Sequence, residues 1–252
     1  MIAACRILRP HAEVTMFRTT ILLTVIAIGS AQAADLMVND LRLNYMPIMG
    51  QSFKMTGRLV DQAPSDPAFT AVDGNQSVTR DSESHTRIGL GFYRTFRELE
   101  LNKGSFMWGV EVSKDQTESG QYNIHLDGDG TMVDGFLGIA WAFAPWWHIE
   151  EGLLLGVGQT KWDFKVERWF NNSDWTDTYT STAYEYGFRV GSYFTVWDHL
   201  DIGLDGRYMV MRSKAKFTGN GLTAGGATET SSYEPTIQID GLGVTLSAGY
   251  RF

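Results

Sequence analysis

The chain ends in Thr236-Ile-Gln-Ile-Asp-Gly-Leu-Gly-Val-Thr-Leu-Ser-Ala-Gly-Tyr-Arg-Phe252. From Leu242 to Phe252 every second residue is apolar, and the residues between them are small or polar. This alternation is the period of a β-strand that has one apolar face. About ten residues of such a strand, set at a slant, cross the hydrocarbon layer of a bilayer. The stretch therefore predicts a membrane-spanning strand, with the closing strand of a soluble β-sandwich as the alternative.

The aromatic residues at the end of this strand favour the membrane. Phe252 follows Tyr250 by two residues, so both lie on the apolar face. The Gly-Tyr-Arg-Phe ending resembles the closing strand of bacterial outer-membrane barrels. In that family the terminal aromatic is read by the barrel-assembly machinery, so the resemblance implies that Tyr250 and Phe252 form an assembly signal.

The other end of the chain predicts export. Arg18 supplies positive charge, residues 21–28 are an apolar segment, and Ala31-Gln32-Ala33 matches an A-x-A cleavage site. We interpret residues 1–33 as a signal peptide, with Met16 as an alternative true start. Cys5 is the only cysteine and falls in this segment, so a mature chain would carry no disulfide and no cysteine-based site.

Seven further stretches alternate like the closing strand and bring the predicted number of strands to eight. They cover residues 41–46, 88–96, 106–113, 137–143, 149–157, 184–196 and 200–210. Four long polar segments alternate with short turns between them; these segments are residues 60–84, 114–130, 167–182 and 212–234. Outer-membrane barrels have long loops outside and short turns in the periplasm. Residues 34–252 are therefore predicted to be all-β, forming a transmembrane antiparallel up-and-down β-barrel with eight strands, four long outer loops and short periplasmic turns. The phase of Leu41 and Leu43 runs on through Met49, Phe53, Met55 and Leu59, so either the first strand extends beyond the membrane or a second strand begins there. Pro47 is the weak point of the first strand because it cannot donate a ladder hydrogen bond.

The two faces of these strands differ in chemistry. The outward face is aliphatic and aromatic, and the aromatics beside the short turns predict a periplasmic girdle made of Trp141, Phe143, Trp146, Trp147 and Trp197. The inward face carries Arg42, Glu111, Glu150, Glu185, Arg189, Asp201, Asp205, Arg207 and Arg251. Because an eight-stranded barrel is only wide enough for its own side chains, these charges are expected to pair as a plug. Counting from the turn at residues 197–199, we expect Arg189 to pair with Asp205.

The architecture and the Gly-Tyr-Arg-Phe ending together resemble the small eight-stranded outer-membrane barrels typified by the OmpA membrane domain and OmpX. Members of this family are envelope scaffolds, adhesins or serum-resistance proteins, so the resemblance implies a non-enzymatic barrel whose outer loops meet a surface partner. The expected partners are outer-membrane lipid, lipopolysaccharide, the barrel-assembly machinery and an unknown surface ligand. A net charge of -8 argues against nucleic acid.

Two other functions stay open at this point. The inward charges could line a narrow pore for small solutes. The chain could also be a lipid A-modifying enzyme with a serine or histidine at the rim, but Ser84 and His85 are adjacent in a strand and point to opposite faces.

Asp127-Gly-Asp-Gly130 lacks the spacing of a calcium loop and is interpreted as a turn, so no metal or cofactor is expected.

The cleavage site leads to a first prediction. N-terminal sequencing of the protein isolated from the envelope should begin at Ala34, because signal peptidase cuts after the A-x-A motif. A mature protein that retains residues upstream of Met16 would contradict the interpretation of residues 1–33.

Overall fold

The computed structural model describes residues 39–62, 72–81, 84–97, 99, 101–121, 124–170, 173–196, 199–222 and 228–252. The predicted signal peptide and Trp197 lie outside these residues. Within the described ranges no helix is long and apolar enough to cross a membrane.

Ten strands account for most of the described residues. They are β1 (Asn39–Gln62), β2 (Val72–Asp81), β3 (Ser84–Thr95), β4 (Gly104–Gln121), β5 (Ile124–Ala144), β6 (Trp147–Phe170), β7 (Ser173–Val196), β8 (Leu200–Lys214), β9 (Phe217–Leu222) and β10 (Thr228–Arg251). Their order is β2-β1-β3-β4-β5-β6-β7-β8-β10-β9, every pairing is antiparallel, and β1 also pairs with β10.

The ring contains eight strands, because two pairs of short strands each occupy one position. Both β2 and β3 pair with β1 in one continuous register, in which Ser52 faces Asp81 and Met46 faces Arg87. In the same way β8 and β9 both pair with β10, and only the two residues 215–216 separate them. The predicted eight-stranded, up-and-down barrel is therefore confirmed.

The ring closes between the first and last strands. Their ladder runs from Asp40 opposite Arg251 to Gln62 opposite Thr230. Beyond it, the Phe252 backbone N–H donates to the Asn39 carbonyl at 2.9 Å, and the Asn39 N–H donates back at 3.3 Å. The terminal aromatic thus belongs to the closing ladder through its main chain; its role as an assembly signal stays a prediction.

A bulge in β1 reverses the predicted phase of that strand. The register with β10 shifts by one residue between Tyr45 and Ile48, so β1 contains one extra residue beside Pro47. A proline is tolerated there because a bulge leaves one residue outside the regular ladder. The prediction that Phe53 and Met55 continue the outward face was wrong, because an extra residue turns every later side chain to the other face. Both are 1% exposed and lie inside.

The four long polar segments are largely strand, which corrects their interpretation as loops. β4 continues to Gln121 and β5 begins at Ile124, while β6 continues to Phe170 and β7 begins at Ser173. They lie at the end of the barrel opposite the short turns, as predicted. We call this end the outer extension; it comprises residues 52–62, 72–81, 114–121, 124–131, 159–170, 173–182, 212–222 and 228–238.

The strands exchange their apolar and polar faces where the outer extension begins. On β6 the exposed side chains are Leu153, Leu155 and Val157 nearer the turns, and Lys161 further out. Buried Trp162 follows directly after Lys161. The barrel therefore turns an apolar surface to its surroundings in one zone, as a lipid-facing wall does, and a polar surface in the next, as a water-facing wall does.

The exposed apolar side chains form a continuous belt around the ring. On β10 it runs from Tyr250 to Leu242, both more than half exposed. Eight residues at ~3.4 Å each span about 27 Å, which at a tilt of about 40° gives a band roughly 20 Å tall. An exposed apolar belt on a closed ring is the mark of a transmembrane barrel, because closure satisfies every ladder hydrogen bond internally.

Aromatic residues gather at the turn end of the belt. Trp141, Phe143 and Trp146 are exposed, and Trp147 stacks on Phe194 with ring centroids 6.3 Å apart. The Trp147 indole N–H also donates to the Ser192 hydroxyl at 2.9 Å. These positions suit a head-group region, where a ring can be half apolar and half wet.

The bulge can be tested by changing chain length. Deleting Pro47 should strongly destabilise the barrel, because the loss of one residue turns Phe53 and Met55 out of the interior or breaks the ladder with β10. Pro47→Ala keeps the residue count and should be tolerated. Urea unfolding in lipid vesicles, followed by the heat-dependent gel shift of folded barrels, compares the two. Equal stability of the deletion and the substitution would show that the bulge does not set the register.

Candidate functional site

The innermost charges near the turn end are organised around one carboxylate. Arg42 on β1 donates Nη1 to Glu150 Oε2 at 2.7 Å and Nη2 to Glu150 Oε1 at 2.5 Å. Arg189 on β7 donates Nη2 to the same Oε2 at 2.7 Å. All three residues are at most 1% exposed. Glu150 on β6 therefore joins β7 beside it to β1 across the lumen.

Aromatic rings cover the two guanidinium groups. The Arg42 guanidinium carbon lies 4.0 Å from the Tyr193 ring centroid, and that of Arg189 lies 4.0 Å from the Phe136 centroid. Tyr93 lies against both, at 4.7 and 4.6 Å. Ring faces attract a cation, and the attraction is larger when water is excluded. The aromatic side chains thus compensate for the low number of carboxylates around Arg189.

A second group lies at mid-barrel. Arg207 on β8 donates Nε to Asp205 at 2.7 Å and Nη1 to Glu111 on β4 at 3.0 Å. Glu111 also accepts from the Tyr93 hydroxyl and from the Asn44 amide, both at 2.7 Å. The carboxylate is satisfied from three strands, as a buried charge requires.

A third group surrounds Arg87 on β3, next to the outer extension. Its guanidinium donates to Asp115 on β4 at 2.5 and 2.9 Å and to Glu185 on β7 at 2.8 and 2.5 Å. Asp134 on β5 lies 3.4 Å away. One arginine thus ties three carboxylates from three strands.

The sequence interpretation missed several members of these groups. Asp115 falls in a segment predicted to be a loop, while Arg87 and Asp134 lie just beyond the predicted strand ends. Extending the alternation of Gly89 and Gly91 back by two residues would have placed Arg87 on the inward face, since the strand period is two. The predicted strands were too short because their ends were set where the outward face became polar.

The predicted pair of Arg189 with Asp205 was wrong. The turn between β7 and β8 puts Arg189 opposite Arg207 and Gly191 opposite Asp205. The predicted register between β7 and β8 was therefore wrong by two residues, which is the spacing between successive inward-facing residues on one strand. Glu150 holds Arg189 and lies on the strand on its other side.

The remaining predicted charges form the rim. Arg251 donates Nη2 to Asp201 at 2.5 Å; Asp201 is 1% exposed, whereas Arg251 is half-buried. Asp40 accepts from Arg42 at the same end. The nine inward-facing charges predicted from the alternation therefore all lie within or at the rim of the interior.

The outer extension encloses an apolar core that the sequence did not predict, and four members of this core, Met132, Ala183, Met211 and Ile239, lie just below the boundary of the extension. We call it the outer core; its buried residues are Phe53, Met55, Leu126, Met132, Trp162, Phe164, Val166, Trp175, Ala183, Met211, Ala215, Phe217, Tyr233, Ile237 and Ile239. Phe164 stacks on Phe217 with centroids 4.5 Å apart and meets Trp175 edge-on at 5.2 Å. Burial in this core raises the pKa of Tyr233 to about 12. The outer extension is thus a packed unit.

Polar pairs cover the outside of the outer extension on β6 and β7. Asp163 accepts from the Thr178 hydroxyl at 2.6 Å and from Lys161 at 3.0 Å. The hydrogen bond from Thr178 is the main reason that the pKa of Asp163 lies below its ordinary value, and Lys161 adds to it. A shallow open cavity of about 750 Å³ lies here between His125 and Thr178.

The serine and histidine weighed for enzyme chemistry do not form a dyad. His85 lies inside and its Nδ1 is 2.8 Å from the Thr117 hydroxyl, whereas the Ser84 hydroxyl donates to Glu118 at 3.5 Å. His148 lies inside beside Glu150 at 3.2 Å. Across the described ranges there is no cluster of three or more ligand side chains placed to hold a metal ion.

No protein-family model matches the chain, and no curated protein matches it. It is similar to Ail, the attachment invasion locus protein of Yersinia pestis, at 14% identity and a TM-score of 0.32, with 86% of this chain and 99% of that chain covered. It is also similar to the outer membrane protease OmpT of Escherichia coli (9% identity, TM-score 0.45, 87% and 98% covered) and to OprG of Pseudomonas aeruginosa (12%, 0.29, 85% and 96%). These values concern the fold alone.

The closed ring and its lipid-facing belt carry the structural conclusion by themselves. Eight antiparallel strands close through β1 and β10, and the exposed apolar side chains form a belt roughly 20 Å tall. This is the architecture of a bacterial outer-membrane β-barrel.

The charged interior leads to a prediction about stability. Glu150→Gln should lower the free energy of unfolding by about 3–5 kcal/mol, because it leaves buried Arg189 without its carboxylate. Glu118→Gln, on the exposed face of β4, is the control and should change little. Urea unfolding in lipid vesicles measures both. A Glu150→Gln barrel as stable as the control would mean that water screens the interior charges.

Proposed function

We propose that the protein is a non-enzymatic outer-membrane barrel that presents its outer extension to a partner at the cell surface. The observation that carries this proposal is the outer core. Trp162 and Trp175 are each at most 2% exposed in a part of the chain that lies beyond the lipid-facing belt. Ordering so many residues outside the membrane has a large entropic cost, which packing in the outer core offsets. Such a rigid projection suits recognition.

The barrel interior supports a binding role over transport. Arg42 reaches Glu150 across the lumen, Arg207 reaches Glu111, and Arg87 reaches Glu185, so three levels are bridged from wall to wall. The outer core lies above them. A solute would have to break several buried ion pairs to pass, and removing one partner of such a pair costs several kcal/mol.

The narrow pore remains the second candidate, and a specific feature favours it. The interior carries more carboxylates than guanidinium groups, with Asp115, Asp134 and Glu185 around the single Arg87. An acidic lumen would prefer cations if it conducted. Single-channel recording in planar bilayers separates the two functions: we expect no steady conductance, and steady cation-selective openings would favour the pore.

The surface role can be tested by shortening one hairpin. Asp163 and Thr178 face each other across β6 and β7, so an Asn-Gly turn can join them and remove residues 164–177. The belt and the interior ion pairs are unchanged, so the barrel should still fold and show its heat-dependent gel shift.

Cells displaying the intact or the shortened barrel are then compared for binding to an array of immobilised extracellular proteins and polysaccharides. We expect the intact barrel to bind at least one array component and the shortened barrel to lose it. Identical profiles for intact, shortened and barrel-free cells would contradict a surface-interaction role. Tags inserted in the removed segment should also be reachable by antibody on whole cells.

A further inference from the structure

Three buried acids lie in one row across neighbouring strands of the interior. Glu111 on β4 is opposite Asp134 on β5, and Asp134 is opposite Gly156 on β6. Gly156 is in turn opposite Glu185 on β7. The three acids are each at most 3% exposed. We call Glu111, Asp134 and Glu185 the acidic row. Because like charges directly opposite each other on adjacent strands repel, each member of the row needs its own compensation.

The two outer members of the acidic row have that compensation. Glu111 accepts from the Arg207 guanidinium at 3.0 Å and from two neutral donors at 2.7 Å. Glu185 accepts two hydrogen bonds from Arg87, at 2.8 and 2.5 Å. Charge-assisted donors of this kind stabilise an ionised carboxylate, so both outer members fit the charged form.

The middle member, Asp134, lacks it. Its Oδ2 lies 3.4 Å from Arg87 Nη1, and that nitrogen donates to Glu185 at the shorter distance of 2.8 Å. Its Oδ1 has no hydrogen-bond partner among the described residues, although Asp134 is only 2% exposed. An ionised carboxylate that has lost water and gained no donors is costly, and such a group is neutralised instead.

The other cations around the acidic row are engaged elsewhere. Arg87 also donates twice to Asp115, at 2.5 and 2.9 Å. Arg207 already holds two carboxylates. His85 Nε2 lies 3.8 Å from Asp115 Oδ1, so this ring faces Asp115 as well. In the described part of the interior, therefore, no cation is left to compensate a charge on Asp134.

A glycine brings the middle acid towards one of its neighbours. A Cβ atom on Gly156 would overlap Asp134 Oδ1 and would lie 3.4 Å from the Glu185 Cβ. The Asp134 carboxyl group thus takes the space of a β6 side chain, and no side chain of β6 separates it from Glu185. A proton on Oδ1 would be a donor on the side of the row where the Glu185 carboxylate lies.

We infer that Asp134 is a proton-binding site, on which the folded barrel holds a proton at neutral pH. The neutral carboxyl group removes the repulsion from both Glu111 and Glu185 and replaces an unsatisfied oxygen by a donor. The bound proton is then part of what fills the interior, and its loss at high pH leaves an uncompensated carboxylate there. The inference does not depend on which partner the outer extension binds.

The test compares Asp134→Asn with the same substitution at the other end of the interior. Asp201 is 1% exposed and is paired with Arg251 at 2.5 Å, so Asp201→Asn removes an ionised carboxylate. Infrared spectroscopy of the barrels in lipid vesicles at neutral pH detects the C=O stretching band of a protonated carboxyl group, which is separate from the bands of carboxylates. Wild type and Asp201→Asn should share such a band, and Asp134→Asn should lack it.

Urea unfolding in the same vesicles measures the proton independently. The unfolded chain exposes Asp134 to water, where it ionises, so the folded state carries one more proton and a rise in pH favours unfolding. Between about pH 5 and pH 8, the ratio of the wild-type unfolding constant to that of Asp134→Asn should rise by about tenfold per pH unit. The ratio of wild type to Asp201→Asn should stay constant, because Asp201 is ionised in both states.

Four results would overturn the inference. A wild-type spectrum without the band, or a band that persists in Asp134→Asn, would show that Asp134 is not the protonated acid. A ratio of wild type to Asp134→Asn that does not change with pH would exclude proton uptake on folding. An Asp134→Asn barrel without the heat-dependent gel shift would show that negative charge is required, since a neutral amide fits where a neutral acid does.

Discussion

The rest of the structure depends on the closure of one ladder, between β1 and β10. A hydrocarbon layer offers no hydrogen-bond partners, so an unpaired strand edge within the belt would leave a row of polar groups unsatisfied. The ladder from Asp40 to Gln62 removes that edge and fixes the ring at eight strands. The number of strands fixes the radius, and the radius decides that interior side chains from opposite walls meet. Arg42 reaches Glu150 only because the ring is this narrow.

The surroundings of each strand change from lipid at the belt to water at the outer extension, and one continuous backbone passes through both zones. In the belt the apolar side chains point out, as Leu153 and Leu155 do, and the interior takes the charges. In the outer extension Trp162 and Phe164 point in, and Lys161 meets water. A strand needs no new secondary structure for this exchange, because its two faces alternate and only the residue types change. The outer extension is therefore built on the same ladders as the membrane part.

The sequence predicts structure well where the pattern is local. Alternation with period two identifies inward Arg42 and Glu111 because the two faces of a strand follow from the backbone alone. An apolar outward face identifies a strand only within the belt; beyond the belt the apolar face points inward, so this pattern does not predict the outer core. Trp162, Phe164 and Val166 are also spaced by two, so the signal was present in the opposite phase. The bulge at Pro47 and the pairing of Arg189 cannot be predicted from alternation alone. A shift in register, or a change in turn length, alters which side chains meet.

The ion pair between Glu150 and Arg42 helps to keep the ring closed between β1 and β10. Every other neighbouring pair in the ring is joined by the chain itself, but β1 and β10 are joined only through their ladder. Arg42 lies on β1, and its two bonds to Glu150 run across the lumen to the far wall. The first strand is thus held from inside as well as along its edge. Parting the seam sideways would require pulling the Arg42 guanidinium away from a buried carboxylate, so an interior ion pair resists lateral opening where the covalent connection is missing.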